Sequence, residues 1–474
     1  MLGRNESVPS LFQMVDVESL VPGGHLLRKI DAVLDLSFVP EVVAECYTPG
    51  KGRPSVDPEL ALRMMVLGVL YDLSDRELCE EIGMHAGMRW FCRLNFHDPV
   101  PDHSTLSRLR NERWSDSGLF DELMDEVIRQ CSEAGLVSGR HLSVDGTQVR
   151  ADASMKSLRR RGPRPPDDGD GVPVSDPDAS EPKPAGDWRG RGERYSNETH
   201  VSSTDPDACL YRKGNQRGAR LSYLVHDLVD TKSRVILRRR ATEATGSAER
   251  DTALDMLDDV LESYDELGLA KRPEIVTGDK GYGATDFVTE LVERGIDPHV
   301  PLLSGGTEEA LPTWKRRTFN LEHKRVRERT RRHVQARNRV REIHKTRGYA
   351  VSRKLRVRNE HLFAEAKNQH GLARARWRGR ERVDVQAKLS AVVQNLKRLA
   401  AFTGHQDRAG AAAAAVRPFL RHPVAPVRLF LAHIRRSCLR WSLYHDLVHT
   451  NPRGSRLDDS NSRSMTQPAS STAL

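Results

Sequence analysis

Aromatic residues fill only 5% of the 474 positions, so no extended base-stacking platform stands out. The six cysteines, Cys46, Cys79, Cys92, Cys131, Cys209 and Cys438, are scattered, and no two form a Cys-x-x-Cys pair. That argues against a zinc ribbon or a disulfide framework and suits a reducing cytoplasm. No apolar run approaches the ~20 residues a membrane span needs, and the N-terminus lacks the basic-then-apolar layout of a signal peptide. A cytoplasmic protein with no membrane partner is expected.

Charge is what the chain has in abundance. Lys plus Arg number 75 against 66 Asp plus Glu, a net charge of +9 with a pI of about 9.3. Arginine, whose planar fork of donors matches phosphate, outnumbers lysine. The excess concentrates in residues 313–358, which include "KRVRERTRRHVQARNRVREIHK". Such a run is commonly a solvated helix face. Its nearly uniform sign disfavours compact packing unless a polyanion neutralises it, and nucleic acid is the obvious one.

Beyond Pro58 the pattern is helical, with Leu60, Leu62, Met65, Val66, Val69 and Leu70 at three-to-four spacing. Ser74 and Glu77 form a capping box opening the next helix, Gly83 breaks it, and a further helix carries Arg89, Trp90 and Phe91. Helix, glycine turn, helix is the outline of a helix-turn-helix, and equally of a core helical hairpin. "PDHSTLSRLR" starts another helix with Arg108 and Arg110 in its first turns, and one more runs from Leu119 to about Ala134.

Residues 156–205 are rich in Pro, Gly, Asp and Arg and read as a flexible insertion. "LSYLVHDLVD" and "SRVILRRRAT" then read as a hairpin, followed by a helix from about Ala248 to Tyr264 and a short strand "EIVTGD". These elements imply an α/β unit on a mixed sheet. The last seventy residues read as a poorly ordered tail.

Two apolar strands end in carboxylates. Leu142 to Val144 leads to Asp145, with Gly146 next; "EIVTGD" leads to Asp279, followed by Lys280 and Gly281. A lone Asp145 reads as a turn residue. Two strand-end aspartates at one sheet edge repel unless a cation joins them, and Mg²⁺ suits a few carboxylates plus water and phosphate. A third carboxylate is sought on "RKLRVRNEHLFAEAKNQHG". Glu360 and Glu365 lie roughly 140° apart on a helix, so at most one faces the sheet. Arg356 and Lys367 share Glu360's face; an exposed, salt-bridged helix has the same pattern.

These segments, in order, resemble a bacterial insertion-sequence transposase of the DDE type. "PELALRMMVLGVLYDLSDRELCEEIG" is similar to that family's N-terminal helical domain, "VDGTQVRADAS" and "GDKGYGA" resemble its two aspartate motifs, and "EHLFAEAKNQHGLARARWRG" its glutamate helix. Its spaced Tyr, Arg, Glu, Lys pattern is met by Arg356, Glu360 and Lys367, while Arg353 occupies the tyrosine slot. The resemblance implies an RNase H-like mixed-sheet α/β catalytic core, residues 136–404, preceded by an all-α DNA-binding domain, residues 1–135, and followed by a tail, 405–474. It implies that Asp145, Asp279 and Glu360 are catalytic and bind two Mg²⁺ ions, with Mn²⁺ able to substitute. Lys280, Arg356 and Lys367, with Arg89, Arg108 and Arg110 of the helical domain, would contact DNA. The implied activity is Mg-dependent cleavage and strand transfer at the ends of a mobile element, with double-stranded end and target DNA as partners and a homodimer on DNA. Two other readings stand beside it: a DNA-binding regulator without catalysis, and an RNase H-like nuclease without strand transfer.

Overall fold

Residues 220–230 show no polar alternation, and the computed structural model of the chain explains why. They form a long strand buried on both faces. The structure describes residues 16–48, 54–161, 195–212, 218–246, 248–303, 307–314 and 320–416. The core strands are β1 (His141–Arg150), β2 (Arg220–Asp230), β3 (Ile236–Glu243), β4 (Ile275–Thr277) and β5 (Asp297–His299). Their order is β3-β2-β1-β4-β5, antiparallel through β3, β2 and β1 and parallel from β1 to β4 to β5. The short strand Cys209–Tyr211 also pairs with the start of β2. Three long antiparallel strands followed by two parallel ones, with helices packed on the sheet, make an RNase H-like core.

A helical region precedes the sheet. Its elements include α1 (Pro58–Leu70), α2 (Asp75–Met84), α3 (Ala86–Phe91) and α4 (Leu119–Glu133). The capping box opens α2: Glu77 N–H donates to Ser74 Oγ at 3.3 Å, and Ser74 N–H to Glu77 Oε2 at 2.9 Å. Helix α4 buries Leu119, Phe120, Leu123, Met124, Val127, Ile128 and Cys131, one continuous stripe. The expected boundary at 135/136 is not a break in packing, because one apolar cluster runs from Leu27 through Val127 and Leu142 to Leu399.

After the sheet's first three strands comes α5 (Ala248–Glu262); later come α6 (Leu321–His344), α7 (Arg347–Gln369) and α8 (Arg380–Val416). The loop after α7 clamps onto the α1–α2 turn. His370 Nδ1 meets Val69 O at 3.1 Å, Arg376 donates to Leu73 O at 2.6 Å, and Arg376 pairs with Asp72. Gly371 has φ +70°, and a Cβ there would strike Asp72 and Arg376.

Two sequence expectations change. The segment 156–205 is ordered at both ends: Leu158–Arg160 pairs with His200–Ser202, and Asp205 is fully buried, accepting from Tyr223 Oη at 2.6 Å. Only residues 162–194 of it lie outside the described part. The chain divides into two compact units at His405/Gln406, beside the expected start of the tail, although α8 itself continues to Val416; residues 417–474 lie outside the described part.

Helix α8 is held to the sheet by a buried ion pair. Arg239 on β3 donates through Nε and Nη2 to both oxygens of Asp227 on β2, each at 2.6 Å, and through Nη1 to Ser390 Oγ (2.7 Å) and Gln394 Oε1 (3.0 Å) on α8. Both side chains are at most 1% exposed. The bidentate geometry and the extra acceptors offset the cost of taking two charges out of water. Asp227→Ala strands the guanidinium and should lower stability by about 3–5 kcal/mol. The double change Asp227→Leu with Arg239→Met should cost far less than the two single changes summed. Urea unfolding of the three variants checks this; additive losses would refute it.

Candidate active site

Strand β1 does not end at Asp145. It runs on to Arg150, paired with β2 throughout. On its other side, β4 pairs only as far as Ser143 with Thr277. That edge is next engaged at Arg150, where Arg150 N–H donates to Ala373 O (3.4 Å) and Ala375 N–H to Arg150 O (2.7 Å). Asp145 therefore stands in a window in the middle of a continuous strand. Two residues beyond the last β1–β4 pair lie Asp145 on one strand and Asp279 on the other, so register brings the two expected aspartates level. Asp279 lies beyond the strand end, capping the short turn Lys280–Tyr282, with Gly281 N–H donating to its Oδ1 at 2.7 Å. Space behind Asp145 is tight, since a Cβ on Gly146 would lie 3.2 Å from Glu249 Oε1 and 3.3 Å from His226 Nδ1.

Helix α7 runs alongside β1 and is pinned at both ends. Ser352 Oγ meets His141 Nε2 at 3.2 Å; Lys367 Nζ donates to Thr147 Oγ1 at 2.7 Å and Gln148 O at 2.8 Å. Glu360 is eight residues from Ser352, about 12 Å along a helix. Asp145 is four residues from His141, about 13 Å along a strand. The two anchors thus set Glu360 level with Asp145. Arg356 acts electrostatically on Asp145. Glu360 itself is exposed.

Glu365 faces elsewhere. Its carboxylate accepts from Lys397 Nζ (2.6 Å), Arg398 Nη2 (2.8 Å) and Gln394 Nε2 (3.0 Å), all on α8. Burial alone would raise its pKa, but His370, Arg398, Lys397 and Gln394 hold it far below the carboxylate range. Lys367, expected to contact DNA phosphate, ties α7 to β1.

Burial pushes the Asp145 carboxyl up to about 6; the Gly146 N–H at Oδ1 and Arg356 lower it, while the charges of Asp279 and Asp227 raise it further. Asp227, directly opposite Asp145 in register, is neutralised by Arg239 and is not available as a ligand. Asp145 is thus a partly buried acid short of positive charge. Two further buried polar groups on this part of β1 and α7 lack hydrogen-bond partners: Ser143 Oγ and both amide atoms of Asn359. Two carboxylates brought level at one strand edge are the donor chemistry that a hard divalent cation takes. Among the described residues no three ligating side chains gather closely enough to hold an ion alone. Sequence reading missed Asp227; a carboxylate inside the otherwise apolar "LVHDLVD" was the one available signal.

The expected DNA contacts divide. Lys280 and Arg108 are exposed. Arg89 is buried and donates to Gly83 O (3.3 Å), Asn95 O (2.6 Å) and Asp98 O (3.2 Å). Arg110, 2% exposed, pairs with Asp75 at 2.7 Å and stacks 3.7 Å from the Trp377 ring. Both are held by partners within the fold, and Gly87, Met88, Arg89 and Phe91 of α3 are buried. In the basic stretch, Arg332, Arg337, Arg339 and Arg341 pair with Glu293, Glu309, Asp297 and Glu309 respectively. Lys324, Arg325 and Arg329, in the first half of α6, are exposed; residues 315–319 lie outside the described part.

Residues 15–112 match the family described as Transposase domain (DUF772), and residues 185–396 match Transposase DDE domain. Asp279 and Glu360 fall within the second match; Asp145 lies between the two. The chain belongs to the DDE transposase family. A similar solved structure is a Mos1 transposase paired-end complex with left transposon end, 11% identical, matched over 53% of this chain and 60% of that one with a TM-score of 0.16. No helix among the described residues is long and apolar enough to cross a membrane.

Because Asp145 binds its proton more tightly folded than unfolded, the metal-free protein loses stability as pH rises from about 4 through 6. At neutral pH the full penalty, on the order of 2–3 kcal/mol, is present. Asp145→Asn should therefore raise the melting temperature in EDTA at pH 7.5, with the gain gone by pH 4. Thermal denaturation at both pH values tests this; an equal gain at both would show that Asp145 is not the titrating group.

Proposed function

We propose that this protein binds the ends of its mobile element and carries out divalent-metal-dependent DNA cleavage and strand transfer, acting as a homodimer on DNA. What supports this reading is the register that sets Asp145 and Asp279 each two residues beyond the last β1–β4 pair, with the helix that carries Glu360 anchored along β1 on either side of it. Asp145, Asp279 and Glu360 would hold two Mg²⁺ ions, with Mn²⁺ able to substitute. Such ions activate water or a 3′-hydroxyl and stabilise the leaving oxygen of an in-line displacement at phosphorus. Arg356 beside the window and exposed Lys280 would hold the scissile strand through its phosphates, while Lys367 keeps the glutamate helix in place. The first half of α6, with Arg108, would contact the duplex backbone. A regulator without chemistry leaves the aligned carboxylates without a role, and a nuclease would yield cut but never joined DNA.

Glu360→Gln should keep wild-type stability and DNA retardation but cut end-repeat DNA at least about 100-fold more slowly in Mg²⁺. Glu365→Gln should still cut, yet lose about 2 kcal/mol or more of stability, because the largely buried Arg398 loses its partner. The reverse pattern would assign the glutamate role to Glu365. Joined products in the wild-type reaction separate transposase from nuclease.

DNA affinity should fall steeply with salt, since bound cations displace condensed counterions. Changing Lys324, Arg325 and Arg329 together to Gln should weaken binding and reduce the log–log salt slope by about 2–3. An unchanged slope in retardation assays would remove α6 from the interface.

A further inference from the structure

Helix α7 carries a set of cations on its solvent side. Arg347, Lys354 and Arg358 are exposed. At about 100° per residue they lie within roughly 40° of one another around the helix, in a row about 16 Å long. Arg353, also exposed, stands seven residues before Glu360, so the two share one line along the helix, about 10 Å apart. Exposed Val357 and His361 fill the face between that line and the outer row. The exposed sector therefore runs unbroken from Glu360 through Arg353 to Lys354, Arg347 and Arg358. Among the described residues none of these four cationic side chains has an ion-pair or hydrogen-bond partner. Glu360 is the one exposed carboxylate on the helix. The contrast is with the second half of α6, where Arg332, Arg337, Arg339 and Arg341 each meet a carboxylate. Like charges four residues apart, as at Lys354 and Arg358, weaken a helix. These cations thus do nothing for the fold, and a polyanion outside it is what would neutralise them.

We propose that the solvent face of α7 is a DNA-backbone surface continuous with the ion site: Arg353 binds a phosphate next to the scissile one, and Arg347, Lys354 and Arg358 bind phosphates of the duplex flanking it. This rests on the assignment of Glu360 to the site. Duplex DNA is the occupant because the cations adjoin a carboxylate assigned to phosphodiester chemistry, and a row of about 16 Å spans the rise of about five base pairs. An acidic protein would satisfy the charges but gives no reason for them to border Glu360. The surface is separate from the exposed cations of α6, so each should contribute its own share of the salt dependence.

The experiment is binding of a short fluorescent DNA duplex of arbitrary sequence to the full-length protein, followed by anisotropy from about 50 to 200 mM KCl, with thermal denaturation of each variant. Phosphate contacts carry no sequence information, so any duplex reports them. Changing Arg347, Lys354 and Arg358 together to Gln should weaken binding about 10-fold or more at the lowest salt and reduce the log–log salt slope by about 2–3. The melting temperature should stay level or rise, since like-charge repulsion along the helix is relieved. Arg353→Gln should reduce the slope by about 1, and Arg353→Lys should restore it. Unchanged affinity and slope in the triple variant, with binding still lost when Lys324, Arg325 and Arg329 are changed, would overturn the proposal and leave the reading of the protein as a DNA enzyme intact. A clear fall in melting temperature alongside weaker binding would make the row structural and also overturn it. A wild type that binds no duplex would remove the functional reading and the proposal together.

Discussion

Strand β1 is paired with β2 from Leu142 to Arg150 on one side, and on the other with β4 along three residues at its start and again at Arg150 with the loop after α7. The site depends on that asymmetry. Pairing with β2 makes the strand rigid and buries its neighbours, which raises the cost of ionising Asp145. The early end of β4 leaves the other edge of β1 open beside that same residue, so a carboxylate in mid-strand still reaches the surface. A longer β4 would have paired the window shut. A shorter β2 would have left Asp145 on a flexible loop, where an aspartate keeps its ordinary pKa and holds nothing in place.

Two sets of polar contacts position α7 against this window, and neither is an isolated surface pair. Ser352 joins His141 and His299, with His299 Nδ1 2.5 Å from Ser352 Oγ, and burial lowers the pKa of both histidines, so the junction is a neutral one. Lys367 closes the other end on Thr147 and Gln148. Between these anchors the inward residues Leu362, Phe363 and Ala366 are buried, which leaves rotation about the helix axis little freedom. Helix α8 then locks α7 from behind through Glu365, Lys397 and Arg398. A glutamate that resembles a ligand in sequence is thereby committed to the scaffold, and its neighbour five residues earlier is left to face outward.

The charge distribution follows the same division of labour. Where α6 packs against the sheet's edge elements, Arg332 and Arg339 are neutralised by Glu293 and Asp297, and Arg337 and Arg341 share Glu309. Its first turns protrude with cations exposed, and Arg327 and Arg331 flank Trp314 at 5.3 and 5.7 Å. Uniform charge in the sequence thus hides two physical roles, internal neutralisation and surface display. The same holds in the helical region, where Arg89 and Arg110 act as multidentate clamps inside the fold.

Much of the architecture was determined by local rules. The capping box at Ser74, the apolar stripe of α4, the hairpin around Asp230 and the basic run at α6 each rest on residues within a few positions of one another. The two aspartate motifs and the shared face of Arg356, Glu360 and Lys367 were legible for the same reason. What tertiary structure alone decided depends on partners far away in the chain. Asp145 sits within a strand rather than at its end, because the strand that stops is β4, more than a hundred residues later. Arg89 and Arg110 are buried because carbonyls and a tryptophan elsewhere surround them. Asp227 belongs to Arg239, and Lys367 ties α7 to β1. No periodicity encodes such pairings, since burial and electrostatic environment are properties of the assembled interior rather than of any stretch of sequence.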